Sequence, residues 1–150
     1  MLLPDLNELL SYRHPLTIKR FKRNYPHYAD EAEELFKDVL KYLWLSRKHQ
    51  IDLASVGHTD NLDFSCNMHK EMRVIDEMWH TFILITRDYA DFCHRYFGEF
   101  MHHVPEVGDE ADEEKAIDLN RFEHELTRFL SYTYDHLGEN TVKRWFAAYL

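Results

Sequence analysis

Apolar residues recur at helical spacing between residues 28 and 49. They stand at i, i+3, i+4 and i+7, which places them along one face of an amphipathic helix. The positions are Tyr28, Ala32, Leu35, Phe36, Val39, Leu40, Leu43 and Trp44. Acidic residues at 30, 31, 33 and 34 occupy the first turns, where the helix dipole favours negative charge. The pattern predicts a long helix over 28–49, preceded by two short helices over 4–12 and 16–24.

A second helical pattern covers residues 70–97 and stops at Gly98, a residue typical of helix C-caps. At about 100° per residue its apolar stripe falls within a narrow arc, which predicts a buried face. The stripe consists of Ile75, Trp79, Phe82, Thr86, Tyr89, Cys93 and Phe97. Because Cys93 belongs to the stripe, we expect a small buried hydrophobic residue there rather than a nucleophile.

Turn-forming and acidic residues separate the predicted helices. Gly57, Asp60, Asn61 and Asn67 indicate a long connection over 50–68, and residues 106–114 read as a solvated acidic loop. Two more helices follow over 115–137 and 139–149, divided by Gly138. Four or five helices without a convincing strand predict an all-α fold, a compact bundle in which residues 1–150 form a single helical domain.

Composition and charge narrow the classes of partner. Hydrophobic residues make up 45% of the chain with only four glycines and four prolines, which favours a helical globular protein over a disordered one. The net charge of −9 argues against nucleic acid as a partner, and we interpret the basic stretch 13–23 as a solvated face. No stretch approaches the roughly 18 apolar residues that span a bilayer. Without a secretory signal, and with two cysteines, the chain is expected to be cytoplasmic.

Candidate chemistry concentrates in residues 76–105, a histidine-rich segment. Asp76 and His80 are i, i+4 neighbours on the predicted helix, so their side chains can touch. Such a pair can bind a divalent ion, or the carboxylate can orient the imidazole for acid–base work. A hydrogen-bonded pair that only pins the helix is the alternative. Glu77 also stands three residues before His80, the Glu-x-x-His spacing of di-iron bundles.

A second group of possible ligands follows the helix end. It consists of His94, Glu99, His102 and His103. We take Asp76, His80, His102 and His103 as the predicted metal ligands, with Glu77, His94 and Glu99 as outer-sphere or alternative ones. Imidazole and carboxylate together suit a divalent transition metal such as Zn or Fe. Imidazoles that meet free carbonyls at a helix end are the structural alternative.

One site can unite His80 with the histidines at 102–103 only if the helix breaks. On a straight helix, at about 1.5 Å per residue, Gly98 lies about 27 Å from His80. The chain after Gly98 reaches at most about 17 Å when extended. Polar positions cluster at Arg87 and Asp88, so we expect any break there. Without a break, the two groups form two separate candidate sites.

These residues also form a pattern that resembles a known family. The pattern runs Asp76-x-x-Trp79-His80, Ile83-Leu84-x-Thr86-x-x-Tyr89, Cys93-x3-Phe97-Gly98 and His102/His103-x-Pro105. It is similar to the glycine-rich domain-containing protein-like family, a largely uncharacterised group. The resemblance covers about 30 residues and implies a shared helical domain, without an established reaction.

Three functions are compatible with the sequence. The first is a small helical protein that binds a metal ion or small ligand at 76–105. The second is a protein–protein interaction module without catalytic activity, in which the aromatic residues are core and the basic 13–23 and acidic 106–114 stretches are contact surfaces. The third is an enzyme with the Asp76–His80 pair as general base, which lacks a visible nucleophile with a partnered base. We prefer the first.

Overall fold

The computed structural model describes residues 1–103 and 119–147, and within these ranges the fold is all-α with no strand. Seven α-helices form it, where the sequence predicted four or five. They are α1 (Leu6–Leu10), α2 (Pro15–Asn24), α3 (Ala32–Val56), α4 (Arg73–Ile83), α5 (Thr86–Phe97), α6 (Leu119–Leu137) and α7 (Glu139–Phe146). Short 3-10 turns cover Pro26–Glu31, Asp60–Leu62 and Lys70–Met72. The predicted acidic loop 106–114 lies outside the described residues, and the single-domain organisation stays a prediction.

Helix α3 is the central element, and it packs most extensively against α4. The predicted stripe is confirmed by the burial of its aliphatic members, with Leu35, Val39 and Leu40 fully buried. The helix extends to Val56 rather than stopping near 49. A salt bridge between Lys48 Nζ and Asp52 Oδ1, at 2.8 Å, supports the additional turns. The connection predicted over 50–68 is therefore shorter and begins at Gly57, whose φ of 80° suits glycine.

The helix predicted over 70–97 is two helices, α4 and α5, which meet at Leu84–Ile85. The break exists, but it lies before the predicted position at Arg87 and Asp88. Asp88 instead occupies the first turn of α5, where its carboxylate accepts a hydrogen bond of 2.7 Å from His14 Nε2. Thr86, predicted to be buried, begins α5 and is exposed.

Packing explains why the chain turns at this point. The rings of Phe82 and Tyr89 meet edge to face with centroids 5.0 Å apart. Seven residues on one straight helix would separate them by about 10 Å along the axis. The turn thus lets both aromatic rings enter the same core, and Cys93 is fully buried beside them as predicted. β-Branched residues around the turn are weak helix formers, so little helical propensity is lost.

Helix α7 closes the bundle against α3 through a buried carboxylate. Asp38 is 1% exposed and accepts hydrogen bonds from the Arg144 guanidinium and from Trp145 Nε1 at 3.2 Å. Burial raises the pKa of Asp38, and the two donors oppose that rise. None of the described helices is long and apolar enough to span a membrane. The cytoplasmic location stays a prediction.

Candidate functional site

The segment that follows α5, residues 98–103, folds back over the core. Gly98 ends α5 in the left-handed conformation with φ of 73°, a helix end that glycine adopts without strain. Arg47 of α3, which is fully buried, then anchors the start of this segment. Its guanidinium donates to Glu99 Oε1 at 2.6 Å and to the Phe97 carbonyl at 3.2 Å. A buried cation with two such acceptors fixes the direction in which the chain leaves α5.

Tyr89 ties the same segment to α4. Its hydroxyl donates to the Met101 carbonyl at 2.5 Å and accepts from Trp79 Nε1 at 3.1 Å. Burial raises the pKa of Tyr89 far above the usual range, so the hydroxyl keeps its proton and remains a donor. This chain of hydrogen bonds exists only because the α4–α5 turn brings Trp79 and Tyr89 together.

The returning segment places His103 against α4. His103 Nε2 lies 2.6 Å from Asp76 Oδ1, and the imidazole stacks on the Trp79 indole with ring centroids 4.2 Å apart. Because a carboxylate only accepts hydrogen bonds, Nε2 carries the proton, which leaves Nδ1 as the acceptor in the neutral ring. The His80 ring lies 5.2 Å from that of His103. Sequence alone predicted Asp76 as the partner of His80, and the structure gives it to His103 instead.

A cleft of about 540 Å³ opens beside this pair. One face of α3, the connection that follows it and the returning segment 99–103 form its walls. The polar lining residues are Tyr42, Ser46, His49, Gln50, Cys66, Asn67, Glu99, His102 and His103, and the apolar ones are Leu43, Met68, Trp79, Phe100 and Met101. The volume lies within the usual range for small-molecule sites, which is roughly 300–1,000 Å³.

His49 is the histidine of the cleft that sequence reasoning missed. It is 5% exposed, its Nε2 donates to the Leu62 carbonyl at 2.9 Å, and its ring stacks on Phe64 at 4.1 Å. Among the described residues, His49 Nδ1 has no hydrogen-bond partner. Arg47 Nε is the only side-chain N or O atom there that is both fully buried and without a partner, so His49 Nδ1 is not fully buried. His49 Nδ1 therefore keeps contact with solvent. The available signal was spacing, since Tyr42, Ser46 and His49 follow one another at i, i+4 and i+7.

A model of the UCP032817-like family matches residues 7–122, which include every residue of the cleft and the Asp76–His103 pair. The chain belongs to the UCP032817-like family. That family is uncharacterised, and the match does not support the glycine-rich domain name that the sequence pattern suggested. No curated protein and no solved structure matches the chain.

In the described residues no hydrogen bond joins the remaining predicted ligands of this family member to the Asp76–His103 pair, although Glu99 and His102 line the same cleft. Glu77 accepts a hydrogen bond of 2.5 Å from the Tyr25 hydroxyl, and this bond raises the pKa of Tyr25. Glu99 is bound to Arg47. His94 is exposed on α5, and His102 is exposed with its ring 4.8 Å from that of Phe100. The structure therefore brings together Asp76, His80 and His103, and leaves out the other four.

Metal coordination by the assembled group would require rearrangement. Within residues 1–103 and 119–147 there is no group of three or more His, Cys, Asp or Glu side chains arranged to hold a metal ion. Asp76 and His103 bind each other directly, so each commits an atom that could otherwise coordinate. Metal binding at Asp76, His80, His102 and His103 stays a prediction.

Cys66 is the other reactive group in the cleft lining. It is a free cysteine, and burial raises the pKa of its thiol to about 12. The Tyr42 hydroxyl donates to its backbone carbonyl at 3.0 Å. At neutral pH the thiol is protonated and weakly nucleophilic, so the cleft offers an oriented imidazole in His103 but no activated thiolate at Cys66.

Proposed function

We propose that this protein binds a small polar molecule in the cleft and that His103 makes the decisive hydrogen bond to it. The observation that carries the proposal is the Asp76–His103 pair at the edge of a cleft of ligand size. Asp76 fixes the tautomer and orientation of the imidazole, as carboxylates do for functional histidines. Trp79 supports the ring from one face.

The surroundings of His103 support a binding role over a purely structural one. A polar pair that only pinned two helices would need no adjoining cavity, whereas His103 lines one. Its side chain retains 13% exposure and that of Asp76 retains 32%. In this arrangement any proton transfer to a ligand would use His103 and not His80.

A ligand screen tests the proposal. Tag-free protein is screened by ligand-observed NMR against a broad library of polar metabolites of every charge class. His103→Gln keeps size and hydrogen bonding in part and removes the imidazole, and the exposed His94→Gln serves as the matched control. We expect ligands that wild type and His94→Gln bind equally and that His103→Gln binds roughly tenfold more weakly. An empty screen, or binding indifferent to His103→Gln, would contradict the proposal.

A divalent transition metal, Zn or Fe, is the second candidate ligand. It is favoured by the closeness of two imidazoles, those of His80 and His103, although coordination would require the Asp76–His103 bond to open. Elemental analysis of tag-free protein, repeated for His80→Ala and His103→Ala, tests it. The metal hypothesis expects about one equivalent in wild type and loss in both variants. Less than about a tenth of an equivalent, with unchanged melting after chelation, would exclude it.

The interaction module without catalytic activity remains the alternative function. A buried hydrogen bond between Asp76 and His80, with no cavity beside it, would support this alternative. Asp76 binds His103 instead, and a cleft adjoins. The acidic 106–114 contact surface that this alternative used lies outside the described residues. We therefore rank it below ligand binding.

A further inference from the structure

We infer that the ligand of the cleft is an uncharged, hydroxyl-rich molecule of monosaccharide or polyol size, and that His49 holds it together with His103. The inference rests on the proposed function and deepens it by naming the class of ligand and a second binding residue. It follows from the hydrogen-bonding state of the two imidazoles, the charges around the cleft and the mixture of aromatic and polar walls.

Both imidazoles line the cleft, and each uses Nε2 as a hydrogen-bond donor within the protein. The Leu62 carbonyl requires a proton on His49 Nε2, and the Asp76 carboxylate requires one on His103 Nε2. In each neutral ring the remaining nitrogen, Nδ1, is an acceptor, and neither Nδ1 has a partner within the described chain. Two acceptors in one cleft favour a ligand that donates at two positions, as a molecule with several hydroxyl groups does.

The charges around the cleft disfavour an anionic ligand. No lysine or arginine belongs to its lining in the described residues. Arg47 lies close by, but it is fully buried and already bound to Glu99 and the Phe97 carbonyl. A phosphate or carboxylate entering the cleft would lose hydration without gaining a cation from the described lining residues. An anion therefore fits the cleft poorly.

A strongly cationic ligand would meet carboxylates that are already engaged. Glu99 lines the cleft and is bound to Arg47, and Asp76 is bound to the lining residue His103. A cation would have to compete with these short bonds, of 2.6 Å each. A neutral ligand makes no such demand, so the local charge balance favours an uncharged molecule.

The walls of the cleft match the two kinds of surface that a sugar or polyol presents. Phe100, 43% exposed, offers an aromatic ring to C–H groups. Ser46, Gln50 and Asn67 supply hydroxyl and amide groups that both donate and accept. A few placed polar groups among apolar walls are typical of small-molecule sites, and about 540 Å³ accommodates a ligand of this size.

The test follows histidine side chains by NMR while matched probes are added. The probes are neutral monosaccharides and polyols, together with the phosphorylated, carboxylated and aminated forms of the same molecules. We expect at least one neutral probe to shift the imidazole signals of both His49 and His103, and to bind more tightly than its charged forms. His49→Gln should weaken that binding roughly tenfold, while the exposed His94→Gln leaves it unchanged.

The outcomes separate this inference from the proposed function. If His49→Gln does not fold, Gln50→Leu, at an exposed position of the same cleft wall, takes its place with the same expected direction. Tighter binding of a phosphorylated, carboxylated or aminated probe would overturn the ligand class and leave the proposed function intact. A shift of His103 alone would overturn the role of His49. If no probe of this panel binds, the inference fails, and the broad library screen alone decides the proposed function.

Discussion

Removing one hydroxyl, that of Tyr89, tests how the returning segment 98–103 is held. In Tyr89→Phe the ring stays in the core, but the bond to the Met101 carbonyl and the bond from Trp79 Nε1 are both lost. All three residues are buried, with exposures of 0% for Tyr89, 5% for Trp79 and 7% for Met101. Water therefore has little access to the two groups that lose their partner.

The expected loss of stability follows from these two groups. A buried donor or acceptor left without a partner costs about 1–3 kcal/mol. With a small allowance for relaxation, Tyr89→Phe should lower the free energy of unfolding by about 2–4 kcal/mol, a large share of the roughly 5–15 kcal/mol typical of a domain. For a chain of this length that corresponds to a fall in Tm of roughly 5–15 °C.

Urea denaturation followed by circular dichroism measures the loss. Tyr134→Phe is the matched control, because it removes the same atom from a tyrosine that is 57% exposed. We expect Tyr134→Phe to stay within about 0.5 kcal/mol of wild type. Equal stability of the two variants would refute the conclusion that Tyr89 anchors the segment that carries His103.

Three further predictions concern the helix end, the response to acid and a thiol. Gly98→Ala should lower the stability of the protein in thermal unfolding by about 1 kcal/mol, because an alanine at φ of 73° is strained. The added Cβ would meet only Leu2, at an ordinary 3.8 Å, so a larger loss would indicate a clash. Burial is the main cause that lowers the pKa of His136 below its usual 6.5, and the charge of Lys48 is the second. The folded protein therefore favours the neutral ring, so this contribution to stability is full above pH 6.5 and is lost as the pH falls below 6.5. His136→Gln should then show a smaller drop in urea midpoint between pH 7.5 and 5.5 than wild type, and an unchanged drop would contradict this. Cys66, with its thiol pKa raised to about 12, should react with iodoacetamide at pH 8 at least about tenfold more slowly in the native protein than in urea, and equal rates would contradict the raised pKa of this half-buried thiol.

Periodicity was sufficient to predict the all-helical fold and much of the core, but not the number of helices. The apolar stripe of α3 and the burial of Trp79, Tyr89 and Cys93 depend on local spacing, which is visible in sequence. The turn at Leu84–Ile85 was not predictable in position, because it is stabilised by contacts between residues on either side of it and not by a local breaker such as proline. Thr86 was wrongly predicted to be buried for the same reason, because the prediction treated residues 70–97 as one continuous helix.

The sequence suggested that Asp76 pairs with a histidine, but it could not identify which one. His80 is the local candidate at i+4, whereas His103 lies 27 residues away and arrives only through the turn and the anchors on the returning segment. His49 stayed hidden for a different physical reason. It sits on the buried side of a long amphipathic helix, where a histidine in sequence looks like one more core position.

A double-mutant cycle between Asp76 and His103 tests the central claim most directly. Unfolding free energies are measured for wild type, Asp76→Asn, His103→Gln and the double variant. A second cycle pairs Asp76→Asn with His80→Gln in the same way. The structure predicts a coupling of about 1 kcal/mol between Asp76 and His103, and less than about 0.5 kcal/mol between Asp76 and His80. Coupling to His80 alone, with none to His103, would show that the segment does not return to α4 and would contradict the account.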